Sequence, residues 1–154
     1  MKSKKVSFGD PKKKKRKSRK KLRKRKKRTP LAIVKDKLWD LCKEYCRKRW
    51  GNVCYTCGAK NLIGSNWHTG HCYPSSICPF ILDYHYDNLR PQCYHCNINC
   101  GGMGAIFKDK LQVEHGVDYV ENLKLMLHQP SITKATISDY EEYIELYKKL
   151  IKEL

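Results

Sequence analysis

Two Cys-x-x-Cys pairs, Cys54/Cys57 and Cys93/Cys96, bracket a segment holding Gly70-His71 and Asn88, and Asn97 follows the last cysteine directly. Four thiolates from two separate turns match the tetrahedral preference of Zn²⁺ and leave no position open for a substrate, so a metal bound there is structural. The polar residues offer a different chemistry. Sixteen residues separate His71 from Asn88, and eight separate Asn88 from Asn97. Hydrolysis of a phosphodiester needs a base that takes a proton from water and a cation that neutralises charge developing on the phosphate and the leaving oxygen. Imidazole suits the first task. An asparagine oxygen at the start of a helix can bind a hard ion such as Mg²⁺, which takes oxygen ligands and keeps several waters. Singly, a histidine beside glycine or an asparagine after cysteine more often marks a capped turn. The three together inside a double knuckle point to chemistry.

These residues need a frame. Thr29-Pro30 reads as an N-cap followed by proline in the first turn, starting a helix that runs to about Trp50 and ends at Gly51. Leu31, Val34, Leu38, Leu41, Cys42, Tyr45 and Cys46 share one face of it. Cys42 and Cys46, four apart, are read as small core residues in preference to ligands. Cys54 to Gly58 is a knuckle turn, Asn61 to Asn66 a loop, and Trp67 to Tyr73 the first strand of a hairpin. Alternation puts Trp67, Thr69 and His71 on one strand face and His68 and Gly70 on the other. Ile77 to Tyr86 is expected as a second strand or a packed loop, shortened by Pro79. The second knuckle opens a short helix that Gly101-Gly102 limits. Helices follow at Ile106 to Glu114 and Val117 to Leu127, and Ser138-x-x-Glu141 reads as the capping box of a last one. Tyr140, Ile144, Tyr147, Leu150, Ile151 and Leu154 form a stripe on that helix, which must pack on the domain or on another copy. Cys72, Cys78 and Cys100 lack knuckle spacing and are read as free or buried thiols.

With 154 residues, 40 % hydrophobic content and a mean hydropathy of -0.73, the chain has room for one modest α+β domain and a tail. Nine cysteines without an apolar stretch after Met1, and no run long enough to span a bilayer, favour an intracellular, reducing setting with no membrane association. Charge is uneven. Residues 1–28 carry eighteen of the 33 Lys and Arg against one acid, Asp10, so nearly all of the net +18 sits there. With Val6, Phe8 and Leu22 as almost its only apolar residues, that tail is expected to be disordered alone. Its candidate phosphate-binding residues are Lys12, Lys13, Lys14, Lys15, Arg16, Lys17, Arg19, Lys20, Lys21, Arg23, Lys24, Arg25, Lys26, Lys27 and Arg28. Pro11 to Lys17, PKKKKRK, also looks like a nuclear-import signal, and a solubilising arm is the plainer alternative. The expected divisions are the tail (1–28), a zinc-bound domain with its leading helix (29–128) and a C-terminal helix for packing or dimerisation (129–154).

Cys54-x-x-Cys57-Gly58, Trp67-x-x-Gly70-His71, Asn88, Gln92-Cys93-x-x-Cys96-Asn97, Gly102, Leu111 and Gly116 resemble the NinG, or Rap, recombination endonucleases of lambdoid phages, from Val53 to about Leu127. The Cys-x-x-Cys-Asn element and Gly116-Val117-Asp118-Tyr119 are also similar to phage endonuclease VII, a junction resolvase. The resemblance implies a zinc-stabilised ββα-metal core of the His-Me finger (HNH) type in the host cytoplasm, cleaving branched DNA such as Holliday junctions and D-loops. It makes His71 the general base, Asn88 the residue that steadies loop and imidazole, and Asn97 a ligand of a catalytic Mg²⁺ or Mn²⁺. His68 stands where NinG proteins tend to have an acid and is the second-ligand candidate, with Asp83, His85 and Asp87 in reserve. Gly70 occupies a place where related nucleases often carry an acid, and Cys100 one where a basic residue is common. Symmetric cutting of a junction suggests a homodimer built on the C-terminal helices. A non-catalytic zinc-stabilised DNA-binding protein and a sequence-specific homing or restriction-type HNH enzyme remain the alternatives.

Deleting residues 2–28 should weaken DNA binding and flatten the slope of log affinity against log salt, by about 0.9 for each duplex phosphate that the shortened chain leaves unneutralised. Gel-shift titrations across a salt series measure this, and an unchanged slope would assign phosphate binding to the folded domain.

Overall fold

Thr29 and Pro30 start the first helix as expected: the Thr29 hydroxyl accepts the Ala32 N–H at 3.2 Å, and α1 runs Pro30–Trp50 to Gly51, whose φ of 68° suits glycine. This computed structural model describes residues 27–129 and 135–154. The basic residues Lys12 to Lys26 and the import-like run lie outside the described residues, whereas Lys27 and Arg28 are exposed and Arg28 pairs with Asp36.

The sheet has two antiparallel strands, β1 (Trp67–His71) and β2 (Leu89–Cys93), with His71 opposite Leu89 and Trp67 opposite Cys93. The second strand therefore lies after the Ile77–Tyr86 stretch. That stretch instead contains a one-turn helix, α2 (Phe80–Asp83), for which Pro79 supplies an extended N-cap and accepts from Leu82 and Asp83 N–H groups. Proline could not have donated within a ladder there. Asn88 closes the connection. Fully buried, its carboxamide oxygen accepts the Tyr73 N–H at 2.8 Å while its NH₂ donates to the Tyr73 carbonyl at 3.2 Å and the Leu82 carbonyl at 3.0 Å.

After β2 a single π-helical turn, His95–Asn99, leads into α3 (Gly104–His115), α4 (Val117–Leu127) and α5 (Ile137–Lys152). The last helix begins earlier than Ser138-x-x-Glu141 suggests. Thr136 is the cap: its N–H reaches the Asp139 carboxylate at 2.6 Å and its hydroxyl accepts the Asp139 N–H at 3.4 Å. Aspartate completes the reciprocal box from the third helical position, leaving Ser138 inside the first turn.

Two cores result. Leu38, Cys42, Tyr45 and Cys46 of α1 pack with Tyr140, Ile144 and Tyr147 of α5 and with Trp67, Leu89 and Cys93 of the sheet. Phe107, Leu111, Val120 and Leu123 of α3 and α4 pack with Cys72, Tyr73 and Leu82 of the connection. The α5 stripe is thus used inside the chain, against α1. Burial pushes the Cys42 thiol up to about 12, as expected of a core residue. No helix among the described residues is long and apolar enough to cross a membrane.

Ile144→Ala should cost about 2–4 kcal/mol, whereas a change at the half-exposed Leu146 should stay within about 0.5 kcal/mol. Urea unfolding checks both, and the Ile144 effect should not vary with protein concentration.

Candidate functional site

The knuckle cysteines converge. Cys54, Cys57, Cys93 and Cys96 place their sulfurs within 4.8 Å of one another, and Cys57 and Cys93 sulfurs are 3.9 Å apart. Zn–S bonds of about 2.3 Å at tetrahedral angles put sulfurs about 3.8 Å apart, so the group can hold zinc. Gly58, at φ 75°, turns the first knuckle, and the Cys96 N–H points at the Cys93 sulfur at 3.4 Å. Burial raises the Cys54 thiol, but the Cys57 backbone, the Thr56 hydroxyl and the Cys93 backbone outweigh it and bring it down to about 6. Burial and the neighbouring sulfurs push Cys96 up to about 12. Four crowded thiols cannot all ionise unaided, and a divalent cation relieves that repulsion.

The sheet carries the rest. Register and alternation put Trp67, Thr69 and His71 with Leu89, Pro91 and Cys93 on one face, and His68 and Gly70 with Arg90 and Gln92 on the other. His71 ends β1 with its side chain only 15 % exposed. Its Nε2 lies 3.2 Å from the Asp83 carbonyl and 3.3 Å from the Asp83 carboxylate. Both are acceptors, an arrangement that favours the tautomer with its hydrogen on Nε2 and its lone pair on Nδ1. Asn88 fixes the same corner from below, because its carbonyl accepts the Cys72 N–H at 2.8 Å.

Asn97 lies in the π-helical turn, beside Cys96 of the cysteine cluster. Gly102 lies between that turn and the end of β1: its N–H bonds the Cys96 carbonyl at 2.9 Å, and a Cβ placed on it would come within van der Waals contact, 3.8 Å, of the His71 carbonyl. Gln92, fully buried, ties the assembly together by donating to the Gly102 carbonyl at 2.8 Å and the Thr56 hydroxyl at 3.2 Å. Thr56 in turn contacts the Cys54 sulfur at 3.4 Å.

Gln92 also accounts for Gly70. A Cβ at position 70 would fall 1.9 Å from the Gln92 side-chain oxygen, so no acid fits there beside the histidine. His68 turns the other way, with Nε2 3.0 Å from the Ser65 carbonyl and its ring edge-on to Tyr94. Asp83 sits against His71, while His85 and Asp87 face each other at 3.8 Å. Among the described residues the four cysteines are the one cluster of three or more His, Cys, Asp or Glu with metal-binding spacing. Cys100 is exposed, 3.3 Å from His95.

Sequence reasoning does not single out Trp39, whose indole stacks on His71 at 5.4 Å between centroids, or Thr56. It names Asp83 as a reserve ion ligand and not as the partner of the imidazole. No periodicity links α1 or α2 to the end of β1, so only Gln92, beside a cysteine in the motif, carries a signal.

A family model described as Bacteriophage Lambda NinG protein matches residues 2–154. The match extends past Val53 to Leu127 in both directions and takes in the basic tail and α5. No curated protein and no solved structure matches the chain.

Cys96→Ala should remove close to one zinc per chain and lower thermal stability by several degrees, as metal-linked folding requires. Metal analysis with thermal melts, repeated under chelator and at acid pH where thiolates protonate, checks this. A zinc content unchanged by the substitution would remove the site.

Proposed function

The chain belongs to the NinG family, and on that premise we propose that it is a metal-dependent, structure-selective DNA endonuclease acting on branched recombination intermediates. The observation that carries the reading is the orientation of His71. Its Nε2–H is held by Asp83, which leaves Nδ1 as the proton acceptor at the end of a strand that Gly102 ties to the zinc-clamped turn bearing Asn97. On this reading the hairpin, its long connection and the following turn take the places of the elements of a ββα-metal core of the His-Me finger type.

In this mechanism His71 Nδ1 takes a proton from water, and the hydroxide oxygen attacks phosphorus as the bond from phosphorus to the 3′ oxygen breaks, leaving a 5′-phosphate and a 3′ oxygen that takes its proton from solvent. Asp83 keeps the imidazole in the productive tautomer, as an acceptor behind a catalytic histidine does. Asn88 holds the connection that brings Asp83 to His71. The Asn97 carboxamide is the residue suited to a hard divalent ion, and Mg²⁺ or Mn²⁺, when bound, supplies charge neutralisation at the phosphate and leaving oxygen. No cage of acidic residues surrounds Asn97 among the described residues. A Mg²⁺ ion held by Asn97 would therefore need waters and DNA phosphate oxygens for its remaining ligands. His68, directed at Ser65, is a poorer second ligand than a phosphate oxygen.

The tail brings the substrate. Its positive charge, set against a nearly neutral remainder, attracts the phosphates of any DNA, leaving selection of branched forms to the domain. Two symmetric cuts call for two copies. The apolar face of α5 is already covered by α1, so a homodimer built on the C-terminal helices would use another face of α5. The lack of a second protein ligand among the described residues favours, as the competing reading, a zinc-stabilised DNA-binding protein without catalysis.

His71→Ala should abolish nicking of a synthetic four-way junction in Mg²⁺ or Mn²⁺, a loss of at least ~10²-fold, with junction affinity and zinc content unchanged. Cutting at the wild-type rate would remove the mechanism. Binding without nicking by the unaltered chain in either ion would establish the competing reading.

A further inference from the structure

We propose that Trp39 is a positioning residue for the base, holding the plane of the His71 imidazole; the inference rests on the nuclease reading above. A hydrogen bond at Nε2 fixes one atom of the ring and still lets the ring swing about the line to its partner. The general base, however, needs its lone pair aimed, because the attacked water sits in the plane of the ring beyond Nδ1. A tilt of roughly 20° displaces a point about 3 Å from the nitrogen by about 1 Å, a misplacement that can cost ~10²-fold in rate.

Trp39 removes that freedom. The indole and imidazole planes differ by 4° with centroids 5.4 Å apart, which is an offset stack. The indole is itself held, edge-on against Tyr84 at 6.5 Å and 78°. Tyr84 is the residue after Asp83 and is locked from α5, where Tyr147 donates to its carbonyl at 2.9 Å and Tyr140 meets its ring edge-on at 5.7 Å. One short stretch, Asp83-Tyr84, therefore sets both the nitrogen anchor and the aromatic wall. α1 and α5, which lie outside the hairpin and turn, thereby reach the reacting atoms.

The test uses the full-length zinc-bound chain, a four-way junction and single-turnover cleavage in Mn²⁺ and Mg²⁺. Trp39→Leu should slow cleavage ~10- to 100-fold with junction affinity and zinc content unchanged. Trp39→Phe, which keeps an aromatic face, should restore the rate to within about threefold of the unaltered chain. A merely structural residue would lower affinity or zinc content along with rate. If Trp39→Leu loses zinc, Trp39→Met against Trp39→Phe carries the same comparison. Leu or Met variants that cut at the wild-type rate would overturn the inference and leave the nuclease reading standing, and so would a Phe variant as slow as they are. An unaltered chain that cuts no DNA overturns both.

Discussion

Convergence of four sulfurs from the loop before β1 and the turn after β2 is the constraint on which the fold depends. A two-stranded sheet is marginal by itself in water, and here each strand has five residues. The cysteines pin the outer end of that ribbon. Cys54, Cys93 and Cys96 are also members of the main core, beside Leu38, Tyr45 and Tyr147. The cysteine cluster and the hydrophobic core are one object, so loosening either disturbs the other.

At the opposite end of the ribbon the fold faces a different problem, a long connection from Cys72 to Asn88 that has to be held still. A single buried carboxamide solves most of it, since Asn88 joins Tyr73, Leu82 and, through its own carbonyl, Cys72. Leaving such groups unpaired in the interior costs about 1–3 kcal/mol each. Asn88 thus converts a loop into a rigid support, and Asp83 is delivered to His71 as part of it. Gly102, which bonds the Cys96 carbonyl, also lies close to the His71 carbonyl at the end of β1.

Much of this is legible in the sequence. Thr29-Pro30 and Gly51 bound α1, and α4 runs from Val117 to Leu127, because caps, prolines and glycines act over a few residues. The knuckles announce the cysteine cluster by spacing alone. The second strand escapes pattern reading because Leu89–Cys93 is short, contains Arg90, Pro91 and Gln92, and is buried throughout, so it lacks alternation. The C-terminal cap is easily misplaced because two overlapping boxes compete, and Asp139 is the residue that closes one. Nothing local reveals that Asp83 and Trp39 enclose His71, since eleven residues separate the histidine from the aspartate and a whole helix-to-strand interval separates it from the tryptophan. Such contacts belong to packing, which composition and periodicity do not encode.

The overlap of Gln92 with the space above Gly70 has an implication for how this protein can vary. Gln92 serves the Gly102 carbonyl and Thr56 from a fully buried position, so admitting even a methyl group at residue 70 requires its carboxamide to shift at the expense of those bonds. The two sites are therefore epistatic: an acidic neighbour for the histidine is reachable only after the glutamine has been shortened, along a path whose first step leaves a carbonyl and a hydroxyl stranded. A carboxylate next to His71 is thus opposed by packing, independently of any chemistry at the imidazole.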